Sequence, residues 1–300
     1  MLSTQVCSMK LRNPTMLASG ILGSTGASLK RVAEKGAGAV VTKSVGIEPR
    51  EGNRNPSVVE LENGLLNSIG LANPGYNAFE EEIAVAKKGN VPVIASVFGS
   101  SAGEFVEAAK TMERYGCDAV ELNLSCPNVE KAGAFFGKSA ELSYEVVKAT
   151  KSAVEIPVIA KLTANVGDIV EIAKACESAG CDAITAINTL RAMKIDIKLA
   201  KPILSAKIGG LSGAAIKPVA VRCVYEIASE TDVEVIGCGG VMTGGDAVEF
   251  LMAGAKAVQI GTGIYFRGIS VFSKVAKEIE EFMLENGYGS IEELVGAALE

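Results

Sequence analysis

No histidine and no tryptophan occur in this chain of 300 residues, and aromatic residues make up only 5% of it. Without histidine, the usual neutral-pH base and zinc ligand is missing, so proton transfer must fall to another group. The cysteines Cys7, Cys117, Cys126, Cys176, Cys181, Cys223 and Cys238 are odd in number and contain no Cys-x-x-Cys pair. That spacing excludes the close-set zinc and iron–sulfur patterns, so any such centre is expected on another polypeptide and no metal on this one. Cationic excess is lacking too: 29 Lys and Arg against 35 Asp and Glu give a net charge of −6, with no basic stripe for nucleic acid or an anionic membrane. The start, Met1-Leu2-Ser3-Thr4-Gln5, has no charged segment leading into an apolar core, and no run of eighteen apolar residues follows. The expectation is a soluble, unprocessed, cytoplasmic protein.

What is abundant is Gly, Ala, Val and Ile within a hydrophobic content of 48%, the composition of β-branched strands packed on small-residue helices. Four segments share one grammar, a helical stretch, a glycine, a small residue and a β-rich run: Lys35-Gly36-Ala37 before Ala39, Tyr115-Gly116-Cys117-Asp118 before Ala119, Ala179-Gly180-Cys181-Asp182 before Ala183, and Ala253-Gly254 before Ala255. A glycine there supplies the left-handed helix cap, so each is read as a helix-to-strand joint. Runs at 16–20, 92–97, 157–162 and 233–238 bring the strands to eight, with amphipathic helical patterns such as 104–115, 141–153, 167–179 and 244–253 between them. The alternation predicts an α/β fold, a (β/α)8 TIM barrel of one domain over residues 1–300. A short hairpin is expected in residues 1–14, a long loop at 46–75 and terminal helices at about 270–285 and 291–299.

In such a barrel the active site lies at the carboxyl ends of the strands. The strand ends here are polar or glycine: Ser19 and Gly20, Lys43 and Ser44, Ser96, Asn123 with Cys126, Lys161, Asn188 with Thr189, Gly239 and Gly240, Gly261 and Thr262. The hexapeptide Asn123-Leu124-Ser125-Cys126-Pro127-Asn128 sets a thiol between two amides just after a strand, and makes Cys126 the candidate proton acceptor. Lys43 and Lys161 end apolar strands. A buried ammonium needs an anionic partner, which points to an anionic ligand. Glycines 237, 239 and 240 and the Gly261-Thr262-Gly263 turn end the last two strands, where barrels commonly hold a phosphate on free backbone amides.

With the hexapeptide, the Lys43-Ser44 strand end and the loop Asn67-Ser68-Ile69-Gly70-Leu71-Ala72-Asn73-Pro74-Gly75, the chain resembles the class 1 dihydroorotate dehydrogenases over about 18–263. The segment Val129-Glu130-Lys131-Ala132-Gly133-Ala134-Phe135-Phe136-Gly137 is similar to the active-site lid loop of the NAD-linked 1B catalytic subunit. The resemblance implies an FMN-binding barrel that oxidises dihydroorotate to orotate in de novo pyrimidine (UMP) biosynthesis. It implies Cys126 as base for the C5 proton and FMN as acceptor of the C6 hydride. The substrate would be gripped by Lys43, Asn67, Ser68, Ile69, Gly70, Leu71, Asn123, Asn128, Asn188 and Thr189. FMN would be held by Ser19, Lys43, Ser44, Ser96, Asn123, Lys161, Ile187, Gly213, Gly239, Gly240, Gly261 and Thr262, with Lys161 facing the N1/O2 side of the flavin ring. It further implies a homodimer core within a heterotetramer, whose electron-transfer subunit carries FAD and a [2Fe-2S] cluster and passes electrons to NAD.

Plainer readings stand beside these. A lone cysteine is most often a small buried hydrophobe, the reading adopted for Cys7, Cys117, Cys176, Cys181, Cys223 and Cys238. Lysines at strand ends can snorkel to solvent. Alternative activities are a fumarate-linked 1A enzyme, a dihydropyrimidine dehydrogenase-like or tRNA dihydrouridine synthase-like flavin barrel, and a phosphate-binding barrel without redox chemistry.

Overall fold

Strands rich in Val, Ile and Ala, buried on both faces, can close on one another only if helices cover the outside, and the chain does this. In the computed structural model, which describes residues 1–124 and 136–299, eight parallel strands form a closed barrel. They are β1 (Thr15–Leu17), β2 (Ala39–Val41), β3 (Val93–Val97), β4 (Ala119–Asn123), β5 (Val158–Lys161), β6 (Ala183–Ala186), β7 (Glu234–Cys238) and β8 (Ala255–Ile260). Neighbours follow chain order, and β8 pairs with β1 to close the ring. The outer layer contains α1 (Gly26–Glu34), α2 (Glu80–Lys87), α3 (Ala102–Arg114), α4 (Ala140–Lys151), α5 (Ile169–Ser178), α6 (Lys217–Glu230) and α7 (Gly244–Met252). After β8 come α8 (Gly263–Arg267), α9 (Val271–Asn286) and α10 (Ile291–Leu294).

The repeated joint has a physical basis. Gly36, Gly116, Gly180 and Gly254 have φ of +107°, +88°, +90° and +107°, a region that side chains disfavour. At two joints the following aspartate adds a clamp. Asp118 accepts from the Val93 amide at 2.7 Å and pairs with Lys87 of α2 at 2.7 Å, while Asp182 accepts from Val158 at 2.7 Å and pairs with Lys151 of α4 at 2.6 Å. Each aspartate thus ties the start of the preceding strand to the helix before its own.

Two hydrophobic clusters result. The larger lies between barrel and helices, and the smaller fills the barrel interior with Met16, Ala39, Val41, Ile94, Ala119, Ile159, Ala183, Ile236 and Ala257. Val6, Met9 and Leu11 of the N-terminal hairpin, Thr4–Val6 with Met9–Leu11, join this inner cluster and plug the floor. The hairpin predicted for 1–14 is present.

Three expectations need correction. Residues 46–75 are not simply a loop: Val58–Leu61 and Gly64–Asn67 form a hairpin in a second, antiparallel sheet. The other two strands of that sheet, Gly209–Ser212 and Leu190–Ala192, come from the stretch between β6 and α6, where the sequence predicts no element. The short runs in these strands carry three glycines, and they are held by cross-strand pairing rather than by intrinsic β preference. The final helix ends at Leu294 instead of reaching about residue 299. Gly296 has φ +76° and its amide turns back to Leu251 O at 3.0 Å. No helix among the described residues is long and apolar enough to cross a membrane.

Candidate functional site

Along each barrel strand alternate side chains point inward, and here the inward column changes character as it rises. Ala119 is followed by Glu121 and Asn123, Ile159 by Lys161, Ala183 by Thr185, Ile236 by Cys238, Ala257 by Gln259 and Ile94 by Ser96. The floor is therefore apolar and the mouth polar, with the change falling inside the strands.

At the mouth the hydroxyls and amides expected there meet. Ser44 Oγ lies 3.3 Å from Ser19 Oγ and 2.8 Å from Ser96 Oγ, and accepts from Asn123 Nδ2 at 3.0 Å. Asn188 Nδ2 donates to Asn123 Oδ1 at 3.4 Å, and Asn188 Oδ1 accepts from the Thr189 amide at 2.7 Å. Gly210 continues the line: a Cβ there would fall 2.1 Å from Thr189 Oγ1, and its carbonyl accepts from Asn67 Nδ2 at 3.3 Å. One string of groups thus runs from the end of β1 across the barrel to the second sheet.

Beside Asn67, the buried Ser68 Oγ has no hydrogen-bond partner among the described residues, a donor and acceptor available to a ligand. Ile69, Gly70 and Leu71 follow in a half-buried turn, Gly70 and Leu71 at φ +78° and +57°. Lys43 is half-buried just past β2, continuing the inward column of Ala39 and Val41. Ile187 is buried, and its amide donates to Cys238 O at 2.7 Å.

The glycines of the last strands also converge. Gly213, Gly239 and Gly240 have φ of +100°, +136° and +85°, and a Cβ on Gly240 would lie 2.8 Å from Gly213 O. A Cβ on Gly213 would lie 3.3 Å from Thr262 Cγ2, and Thr262 Oγ1 donates to Ser212 Oγ at 2.7 Å. Gly261 precedes Thr262 at the end of β8. This bare backbone is a cradle of the sort that accepts a phosphate. Cys126 and Asn128 lie outside the described residues, as does 125–135. Its two flanks are close together, with the Gly137 amide donating to Leu124 O at 2.9 Å.

Lys161 departs from expectation in one respect. Its anionic partner is internal: Nζ lies 3.4 Å from Oε1 of Glu121, a residue with no exposed surface. Burial by itself pushes the Lys161 ammonium down. Cys238 and Glu121 push the other way and prevail, so its pKa stands above the ordinary lysine value. Burial pushes the Cys238 thiol up against the pull of Lys161, and the carboxylate facing Lys161 is that of Glu121. Glu121, Gln259 and Gly210 were not singled out from sequence. For the first two the signal was there, a polar residue in period two with the polar strand end; Gly210 had none, because its neighbour comes from another element.

Fold and mouth together define a (β/α)8-barrel enzyme with its polar groups gathered at one end. The family model for dihydroorotate dehydrogenase matches residues 1–283, and the chain belongs to that family. Among curated relatives, a protein of Methanocaldococcus jannaschii is 51% identical, the match covering 100% of this chain and 99% of the relative. One of Methanothermobacter thermautotrophicus is 52% identical over 99% and 98%, and one of Pyrococcus abyssi 50% over 100% and 99%. All three carry the name dihydroorotate dehydrogenase B (NAD(+)), catalytic subunit.

Proposed function

We propose that residues 1–300 act as one FMN-binding barrel domain that oxidises dihydroorotate to orotate in pyrimidine biosynthesis, as the catalytic subunit of an NAD-linked assembly. The observation that carries this reading is the string of hydrogen-bonded groups from Ser19 through Ser44, Asn123 and Asn188 to Thr189, which packs on the Gly210 backbone that Asn67 bonds. It joins the residues assigned to cofactor with those assigned to substrate.

The glycine cradle fits the phosphate of FMN, and Ser19, Ser44, Ser96, Asn123 and Lys161 would border its ring. When bound, FMN supplies the acceptor for the hydride leaving C6. Asn67, Ser68, Asn188 and Thr189 orient the substrate carboxylate and ring amides, so the reacting carbon meets its base at little entropic cost. Asn128 adds an amide on the segment that carries the base. Lys43 supplies positive charge on that side of the mouth. Cys126, two residues past Leu124, takes the C5 proton as thiolate and becomes a thiol. Met193, Ile195, Ile197 and Leu199 are exposed on the excursion between β6 and α6. An apolar group of this kind supports association with another protein surface, in keeping with a homodimer core and an FAD and [2Fe-2S] partner.

The purified chain is expected to carry FMN and to lose its yellow colour when dihydroorotate is added anaerobically. NAD reduction is expected only after the electron-transfer subunit is added. Efficient turnover with fumarate by the chain alone would mark a 1A enzyme, and oxidation of dihydrouracil but not dihydroorotate a dihydropyrimidine dehydrogenase-like one. A Gly240→Ala variant tests the cradle: the positive φ and the 2.8 Å approach to Gly213 O should cost about 1–3 kcal/mol of stability. FMN retained on gel filtration should fall with it; full retention would remove Gly240 from the phosphate site.

A further inference from the structure

Just below the mouth, four strands each contribute one polar group to the barrel interior: Glu121 from β4, Lys161 from β5, Thr185 from β6 and Gln259 from β8. Lys161 Nζ donates to Gln259 Oε1 at 2.6 Å, and Gln259 Nε2 donates to Glu121 Oε2 at 2.6 Å. Thr185 Oγ1 donates to the same oxygen at 3.0 Å. Glu121 Oε1 accepts no hydrogen bond among the described residues and faces Lys161 Nζ at 3.4 Å. Glu121 is wholly buried and Lys161 is 5% exposed.

A charge pair so enclosed is stable only while both members keep their charge and contact. Lys161 therefore cannot leave for a ligand without stranding a carboxylate, and Gln259, bonded to both, fixes the separation. We infer that Glu121 is a positioning residue that keeps Lys161 protonated and pinned at the base of the mouth, with Gln259 as the strut between them. A ligand above then meets an ammonium whose charge is already balanced from below, a directed donor more than a free cation. The titratable groups facing Lys161 are Glu121 from β4 and Cys238 from β7; Thr185 and Gln259 do not titrate. With Glu121 neutralised and Cys238 replaced, burial governs Lys161 and drives off its proton. Only the redox consequence rests on the reading that the mouth binds FMN.

The direct test is nitrogen NMR of the Lys161 side chain in the native full-length protein, assigned by its absence from Lys161→Arg. The ammonium should persist through about pH 10, close to an ordinary lysine's pKa; loss of the proton below about pH 9 would overturn the inference without any change at Glu121. In Glu121→Gln, made also in a Cys238→Ala background so that no thiolate takes over, the proton should leave well below that range. In the FMN-loaded variant, reduction would then draw a proton onto Lys161. The midpoint potential should fall more steeply with pH than in the native protein, by about 30 mV per pH unit for a two-electron couple. Unchanged Lys161 titration and unchanged slope in Glu121→Gln would overturn the role of Glu121. A chain that takes up no FMN would instead sink the flavin reading and leave the NMR result to decide this one.

Discussion

Replacing Cys126 with alanine is expected to slow dihydroorotate oxidation by about 10²- to 10⁴-fold, the usual contribution of a positioned proton acceptor. FMN retention and thermal stability should change little. The chain offers no histidine to take over, and the residues flanking the segment that carries Cys126 are well anchored. Leu124 is buried, Phe136 packs edge-on to Phe105 at 5.7 Å between ring centroids, and Ser143 Oγ donates to Phe136 O at 2.8 Å. A thiol must ionise before it can accept a proton, so the native rate should climb with pH toward an ordinary thiol value of about 8.5. Cys126→Ser should retain part of the rate and push that climb to higher pH, because a hydroxyl ionises less readily. Stopped-flow bleaching of the flavin across pH measures all three proteins. An alanine variant as fast as the native chain would end the assignment.

Lys161→Met should produce the largest loss of stability, about 3–5 kcal/mol, because it leaves the carboxylate of Glu121 buried without its cation. For a domain of this size that is a fall in Tm of roughly 5–8 °C. The remaining donors, Thr185 Oγ1 and Gln259 Nε2, satisfy one oxygen and neutralise nothing. The loss should shrink as pH falls, since protonating the stranded carboxyl removes the buried charge. A Lys161→Met, Glu121→Gln double variant should recover most of the stability, and the shortfall from additivity measures the coupling between the two residues. Single and double variants that melt alike would show that the pair contributes no more than packing.

Much of this was legible along the chain because it depends on neighbours close in sequence. Gly36, Gly116, Gly180 and Gly254 end helices whatever surrounds them, since a left-handed backbone is a local demand. Each prepares a buried strand, and eight such strands close into a barrel. Strand ends such as Lys43, Asn123 and Lys161 then fall at one mouth by topology alone. The second sheet was not legible in the same way. Gly209–Ser212 carries two glycines and no β-branched residue, and it becomes a strand because Gly64–Asn67 and Leu190–Ala192 lie on either side of it.

The sequence by itself determined the barrel, the polar end of that barrel and the residues standing there, because alternation along a strand and glycine after a helix are rules of local geometry. Only the tertiary structure decided that Asn67 and Thr189 meet at Gly210, and that Lys161 faces Glu121 and Gln259 inside the barrel. Such pairings join residues 40 to 143 positions apart, whose distance is set by how whole strands close around a common core.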